Sequence, residues 1–406
     1  MPFIPSPMAP LFMSQDRILL VLPLPLHSVG ESILIDKQAC TALGYWLDNF
    51  SSVTLMGPRL ETASDGAAPA SSIRGVERLE IIPLPEAWRP DKFVRTAPHA
   101  YRALTRQIRR ADYLHFAIGG VWGDWGALAC IIARQLKRQY AVWTDRVESQ
   151  VVTFANERRT GLTRLYWSMN IALMKALERH VIKHSALGLF HGKDTFSTYA
   201  KFCSNPRTVY NITTGTEAMI SDGDLQVRLQ RTGPLQIIYA GRVHREKGVY
   251  DWIDVLSKLS IEFEATWFGD GPELDAVRHL VDGKPISFPG PISHSLALEQ
   301  MRRSDLFLFC HKTLESPRCL IEALQSGLPL VGYSSPYQDD LIEGRAGLLT
   351  PIHDTKAVAG SLAHLNRDKL NQLSINAREI GAKYFAENIF KERAKLMRTL
   401  KARPAC

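Results

Sequence analysis

Short apolar runs of strand length alternate with segments of helical period along most of the 406-residue chain, and they do so in two series. Runs such as 17–22 and 235–240 are apolar at nearly consecutive positions. That is the pattern of a strand covered on both faces, and such strands occur in parallel sheets flanked by helices. The first series predicts strands at 17–22, 53–56, 79–82, 113–117, 140–144 and 187–191, a loop over 23–31, and helices over 32–50 and 162–184. The second predicts strands at 235–240, 264–269, 286–288, 306–310 and 329–332, with helices over 249–259, 272–281, 293–303 and 319–326. Residues 221–233, polar with two glycines, read as a linker between them. The expected architecture is therefore α/β with two parallel-sheet domains, 1–220 and 234–376, and a final helix within 377–406 that packs back across onto the first.

Composition narrows the classes that remain. Hydrophobic residues at 45% and charged residues at 22% exclude disordered and collagen-like chains, and no apolar stretch reaches the roughly 18 residues of a membrane-spanning helix. Residues 1–13 are apolar and Pro-rich without the basic start of a signal peptide, and read as a leader ahead of the first strand. Six cysteines, Cys40, Cys130, Cys203, Cys310, Cys319 and Cys406, are scattered without a CxxC pair and read as reduced cytosolic thiols.

The net charge of +8 is unevenly placed: residues 1–233 hold 27 basic and 20 acidic residues, and 234–406 hold 22 and 21. Arg89, Lys92, Arg95, Arg102, Arg106, Arg109 and Arg110 crowd one stretch against Asp91 alone. Such a cluster suits a phosphorylated substrate or an anionic membrane surface, and equally a solvated helix face. Nucleic acid is not expected, because no helix-turn-helix spacing, paired Cys/His finger or aromatic-rich ribonucleoprotein strand accompanies the charge. The apolar period of 162–184 fits a core or groove-lining helix, or one lying on a membrane surface.

The chemistry concentrates in the second series. After the strand 235–240 come Gly241, Arg242 and, five residues on, Lys247, with Gly248 opening a helix. Two cations at the carboxyl edge of a sheet beside a helix N-terminus form the usual phosphate site of α/β folds. Gly269 and Gly271 repeat the strand–glycine–helix pattern one unit later and permit close backbone approach to a ligand, or a tight turn. Glu315 precedes the helix that carries Glu322, and a carboxylate near a helix start can accept from the vicinal hydroxyls of a ribose.

In order and spacing, Gly241-Arg242 to Glu246-Lys247-Gly248, Gly269 to Pro272, and Glu322-Ala323 to Gly327-Leu328-Pro329 resemble the C-terminal domain of the retaining glycosyltransferases of family four, of the GT-B group. The resemblance covers 235–350 and implies two facing Rossmann-like domains with a sugar nucleotide held mainly by the second. It implies that Arg242 and Lys247 neutralise the donor diphosphate, that Glu322 holds the ribose and Glu315 the sugar hydroxyls, and that Ser316, Pro317, Arg318, Cys319 and Leu320 complete the donor loop. No enzyme nucleophile, metal or other cofactor is implied: catalysis is positioning plus electrostatic stabilisation. The implied role is transfer of a hexose to a carbohydrate acceptor in bacterial polysaccharide or glycoconjugate synthesis. The setting is cytoplasmic or peripheral at the inner membrane face, where the acceptor can be linked to a polyprenyl diphosphate. An epimerase or phosphorylase on the same fold, or a non-catalytic sugar-nucleotide binder, are the alternatives.

Two departures from the family pattern bear on the site. Glu315 and Glu322 enclose six residues where the family has seven, and Asp145 stands where many members carry a histidine after a central strand. Asp145 there suits a hydrogen bond to a donor hydroxyl or an acceptor proton, or a strand-end cap. Gly30 and Glu31 match the family's glycine-rich loop, with one glycine of the usual pair. His115 and the Gly/Trp run 119–126 suggest an acceptor side, since aromatic faces suit sugar rings. Asp222 and Asp224 resemble the DxD of another transferase fold and are set aside.

Overall fold

The second apolar series folds as six parallel strands in the order Ile286–Gly290, Phe263–Phe268, Leu235–Ala240, Leu306–Phe309, Leu330–Tyr333, Gly347–Thr350. Numbered in chain order this is 3-2-1-4-5-6, the doubly wound order of dinucleotide-binding sheets. The order in which strands are added reverses between Leu235–Ala240 and Leu306–Phe309, so a crevice opens where the loops after those two parallel strands diverge. Every residue of Leu306–Phe309 is buried, as a strand covered on both faces requires. The helix Val249–Ser257 presents Val249, Trp252, Ile253, Val255 and Leu256 to the sheet, and the Trp252 indole donates to the Leu308 carbonyl at 3.0 Å.

The computed structural model describes residues 16–30, 32–62 and 66–400. Within them the first series forms a sheet centred on Arg17–Val21, which pairs in parallel with Ser52–Leu60 on one side and Tyr113–Ala117 on the other. Ala141–Thr144, Leu187–His191 and Pro206–Val209 continue the sheet beyond Tyr113–Ala117. The stretch expected as a loop and the start of a helix, 23–36, instead contains the antiparallel pair Leu26–Val29 and Ser32–Asp36, and the helix starts at Lys37 with Asp36 as its cap. A period-2 pattern over four residues on either side of Gly30 is too short to be separated from loop by sequence.

Two expectations about the domain junction change. Residues 221–233 hold a helix, Asp222–Leu229, capped by Ser221 and anchored by buried Leu225 and Arg228. The Arg228 guanidinium donates to the carbonyl of Ser326 at 2.8 Å, which ties this segment to the second domain. The final helix is two helices, Arg367–Gly381 and Ala386–Met397. The first lies so close to the helix Arg318–Gln325 that a Cβ on Gly381 would sit 2.5 Å from the Gln325 backbone nitrogen. The second buries Phe390, Ala394 and Met397 with Trp46 and Leu43 of the first domain. The crossing is made at 382–385, where Gln325 donates to the Tyr384 carbonyl and the Ala386 N–H donates to Thr214.

The helix Gly161–Lys183 is divided along its length. It is buried toward its C-terminal end at Met174, Glu178, Val181 and Ile182, while Leu162, Leu165, Tyr166, Met169 and Leu173 nearer its start are exposed. No helix among the described residues is long and apolar enough to cross a membrane. Residues 1–15, Glu31 and Cys406, for which a leader, a glycine-loop position and a thiol were expected, lie outside the described residues.

Candidate active site

Between the two sheets lies a cleft of about 590 Å³. Its second-domain wall is built at the crevice where the strand order reverses. Arg242 and Lys247 come from the loop after Leu235–Ala240, and Glu315, Ser316, Pro317 and Arg318 from the loop after Leu306–Phe309. The first-domain wall carries Leu22, Pro23 and Leu24 after the central strand, and Trp143, Asp145 and Arg146 at the end of Ala141–Thr144, two strands away. Seven expected site residues, Asp145, Arg242, Lys247, Glu315, Ser316, Pro317 and Arg318, therefore share one cavity.

The charges in it are arranged in pairs. Lys247 Nζ donates to Glu315 Oε2 at 2.5 Å, both side chains about a tenth exposed, and Arg242 donates to the buried Glu246 at 2.5 Å. The second oxygen of Glu315 is buried with no partner. Lys247 is held in place by a short 3₁₀ turn, Arg245–Lys247, that ends on Gly248 at φ 72°. A Cβ at Gly248 would lie 1.8 Å from the Cys310 carbonyl oxygen, so this loop fits against the neighbouring strand end only with glycine. Gly241, Gly269 and Gly271 do not line the cleft. They press the two strand-end loops together: the Trp267 indole donates to the Gly241 carbonyl, and a Cβ at Gly269 would lie 2.0 Å from the same oxygen.

The remaining expected residues are placed behind or away from the cavity. Glu322 lies one helical turn beyond Arg318, is buried, and accepts from His294 Nε2 at 2.9 Å; that bond holds the His294 pKa above its ordinary value. Leu320 is in the hydrophobic core and Cys319 packs against it. Gly30 turns the first-domain hairpin at φ 59° with open space about it, and Leu22, Pro23 and Leu24 occupy the cleft position expected for it.

Contacts across the cleft join the domains on one side. Val147 N donates to the Leu314 carbonyl at 3.3 Å, Arg146 and Glu315 form a one-residue antiparallel bridge, and Ser316 Oγ donates to the His191 carbonyl at 2.5 Å. Asp194 accepts from Ser335 and from the Tyr337 N–H. Asp145 opens onto the cleft but is flanked by protein. Desolvation raises its pKa, the Arg146 and Arg318 guanidinium groups oppose that, and Glu315 adds to it.

Several cleft residues escaped the reading of the sequence: His191, Asn211, Thr213, Arg393 and the aromatic wall of Trp46 and Phe390. His191 is buried with neither ring nitrogen hydrogen-bonded, and desolvation followed by Arg393 and Arg318 lowers its pKa to about 3. Arg393 carried a signal in its spacing. It is the lone cation on the apolar stripe formed by positions 386, 389, 390, 394 and 397 of its helix. Among the described residues no three His, Cys, Asp or Glu side chains converge as metal ligands would.

Residues 234–368 match the family described as Glycosyl transferases group 1. The chain is 25% identical over 234 residues to the sulfoquinovosyl transferase SQD2 of Arabidopsis thaliana, covering 55% of this chain and 45% of that one. It is 28% identical over 144 residues to glycogen synthase of Mycobacterium tuberculosis, covering 33% and 34%. The chain thus spans less than half the length of these curated relatives. Among solved structures, sucrose-phosphate synthase from Thermosynechococcus elongatus superposes with a TM-score of 0.70 at 16% identity, over 95% of this chain and 98% of that one. Anabaena HepE in complex with UDP superposes with a TM-score of 0.65 at 15% identity, over 95% and 100%. Residues 234–368 thus resemble a group 1 glycosyltransferase domain, and the described chain as a whole has the two-sheet GT-B fold.

Proposed function

We propose that the protein is a retaining glycosyltransferase that moves a hexose from a nucleotide diphosphate sugar to a carbohydrate acceptor. The observation that carries this reading is the convergence of Arg242, Lys247 and Glu315 on one interdomain cleft at the strand-order reversal of the second sheet. Arg242 and Lys247 then neutralise the diphosphate and the charge that builds on it as the glycosidic bond breaks. The unpartnered Glu315 oxygen suits a sugar hydroxyl as donor, and Glu322, one turn behind the cleft wall, suits the ribose. Asp145 approaches the same space from the first domain and acts on the acceptor side. The nucleotide site is supported by the UDP complex of the HepE neighbour and by the activity named for SQD2.

Lys247→Ala and Glu322→Ala should each remove most transfer from a UDP- or GDP-sugar to an oligosaccharide acceptor panel. Full activity after both changes refutes the assignment. Products whose anomeric configuration is inverted relative to the donor refute the retaining course.

The acceptor is proposed to be lipid-linked and met at an anionic membrane surface. Exposed Leu162, Leu165, Tyr166, Met169 and Leu173 follow one another at helical spacing over about three turns of one helix, and exposed Arg95, Arg102, Arg106, Arg109 and Arg110 lie along another, Pro90–Arg110. Equal binding to vesicles with and without anionic lipid at low salt would exclude this surface.

A further inference from the structure

Arg393 is an unusual cation. It is 4% exposed, projects from the helix Ala386–Met397 into the first-domain side of the cleft, and among the described residues no carboxylate pairs with it. Its guanidinium has five N–H donors. Two of the terminal groups reach Asn211 Oδ1 and His115 Nε2, each at the long distance of 3.4 Å, and Nε has no acceptor. Trp46, Phe390 and Trp143 stand over it with ring centroids 4.9, 5.0 and 5.7 Å from the guanidinium carbon. Burial lowers its pKa to about 9 with no acidic neighbour to raise it.

A buried charge without a counter-ion is costly, and buried cations in proteins are as a rule paired or hydrogen-bonded throughout. Aromatic rings stabilise a guanidinium through its faces and leave its edge for planar acceptors. Here Nε is buried without an acceptor, the two terminal nitrogens hold only long bonds, and the side chain lines a cavity. His191 shares the cavity, is buried, and has two unpartnered ring nitrogens. Asp36, Asp145 and Glu315 line the same cleft without pairing with Arg393.

We propose that Arg393, with Asn211, His115 and His191, forms a second anion-binding subsite that takes a phosphate or carboxylate carried by the acceptor. The word acceptor rests on the transferase reading above; the anion pocket itself does not. The subsite is separate from the pair Arg242 and Lys247, which comes from the other domain, so the enzyme selects a phosphorylated or acidic sugar over a neutral one.

Thermal unfolding of the full chain tests this, for wild type and Arg393→Met, with glucose 6-phosphate, glucuronate or glucose, each with and without saturating UDP. Ligands that bind only the folded state raise Tm with concentration. The wild type should be stabilised by at least one of the two anions and not by glucose, and the shift should persist when UDP fills the diphosphate site. Arg393→Met should weaken that response at least about tenfold while keeping the UDP shift. If Arg393→Met does not fold, Arg393→Lys, which keeps the charge without the planar fork, carries the comparison. A response to glucose 6-phosphate alone identifies phosphate, and to glucuronate alone carboxylate; both outcomes support the subsite. No anion response in wild type, an equal response in the variant, or loss of the UDP shift with Arg393 overturns it. An anion response without any UDP shift keeps the subsite and removes the nucleotide reading instead.

Discussion

Replacing Lys247 by Met separates its structural role from its chemical one. The ammonium lies 2.5 Å from Glu315 Oε2, both side chains about a tenth exposed, and the other Glu315 oxygen already lacks a partner. Lys247→Met therefore leaves a mostly buried carboxylate with no counter-charge. Breaking such a pair from one side costs about 3–5 kcal/mol in closed interiors, and the open side of the cleft argues for the lower end, about 3 kcal/mol. In the double variant Lys247→Met/Glu315→Gln no charge is left stranded, so about 1.5–2 kcal/mol of the loss should return. Nucleotide binding should behave oppositely. Losing a charge-assisted bond to a diphosphate costs about 1.5–3 kcal/mol, which is roughly tenfold to a hundredfold in Kd, and the double variant cannot restore it. Urea denaturation and calorimetric titration with UDP measure the two quantities on the same protein. Equal stability of the single and double variants would refute the stranded charge as the source of the loss, and wild-type UDP affinity in the double variant would refute Lys247 as a phosphate ligand.

Other expectations follow from single contacts. Gly248→Ala should destabilise the fold by more than about 3 kcal/mol, because the new methyl meets the Cys310 carbonyl and the backbone is left-handed; an unchanged Tm would contradict that. Glu322→Gln should lower the His294 pKa, since the bond to Glu322 is what raises it, as a proton NMR titration of the imidazole can read. Burial raises Glu178 to about 7 from 4.5, so its share of stability, about 3 kcal/mol, is present below pH 4.5 and is lost as pH rises through 7; in Glu178→Gln, Tm should fall less over that interval, the buried Asp124 and Asp194 accounting for what remains.

Much of the fold was legible because buried parallel strands are written as continuous apolar runs. The strands Tyr113–Ala117, Leu187–His191 and Leu235–Ala240 have the limits that the hydrophobic pattern predicts. The hairpin Leu26–Val29 and Ser32–Asp36 was not legible, because each of its strands has one partly exposed face and few residues. The helix Asp222–Leu229 was hidden for a different reason. Its anchor is Arg228, whose buried hydrogen bonds go to carbonyls a hundred residues away, and a polar anchor leaves no apolar period.

The same distinction explains which half of the site could be read. Arg242, Lys247, Glu315 and Arg318 sit on two loops that leave adjacent parallel strands in opposite directions, so strand order alone carries them to one crevice. Local sequence and local geometry agree there. The first-domain wall has no such shortcut. His115, His191, Asn211 and Arg393 come from a strand, a strand end, a loop and a helix, and Arg393 reaches the cleft only because the chain crosses back at 382–385. Since that crossing is fixed by Gln325 on one side and Thr214 on the other, the residues that set Arg393 in place belong to both domains. A relative movement of the domains would thus shift the first-domain wall as well as the gap between the walls. The two walls of the cleft are coupled through the chain itself, which is why the C-terminal helix belongs to the cleft as much as the loops that resemble a known family.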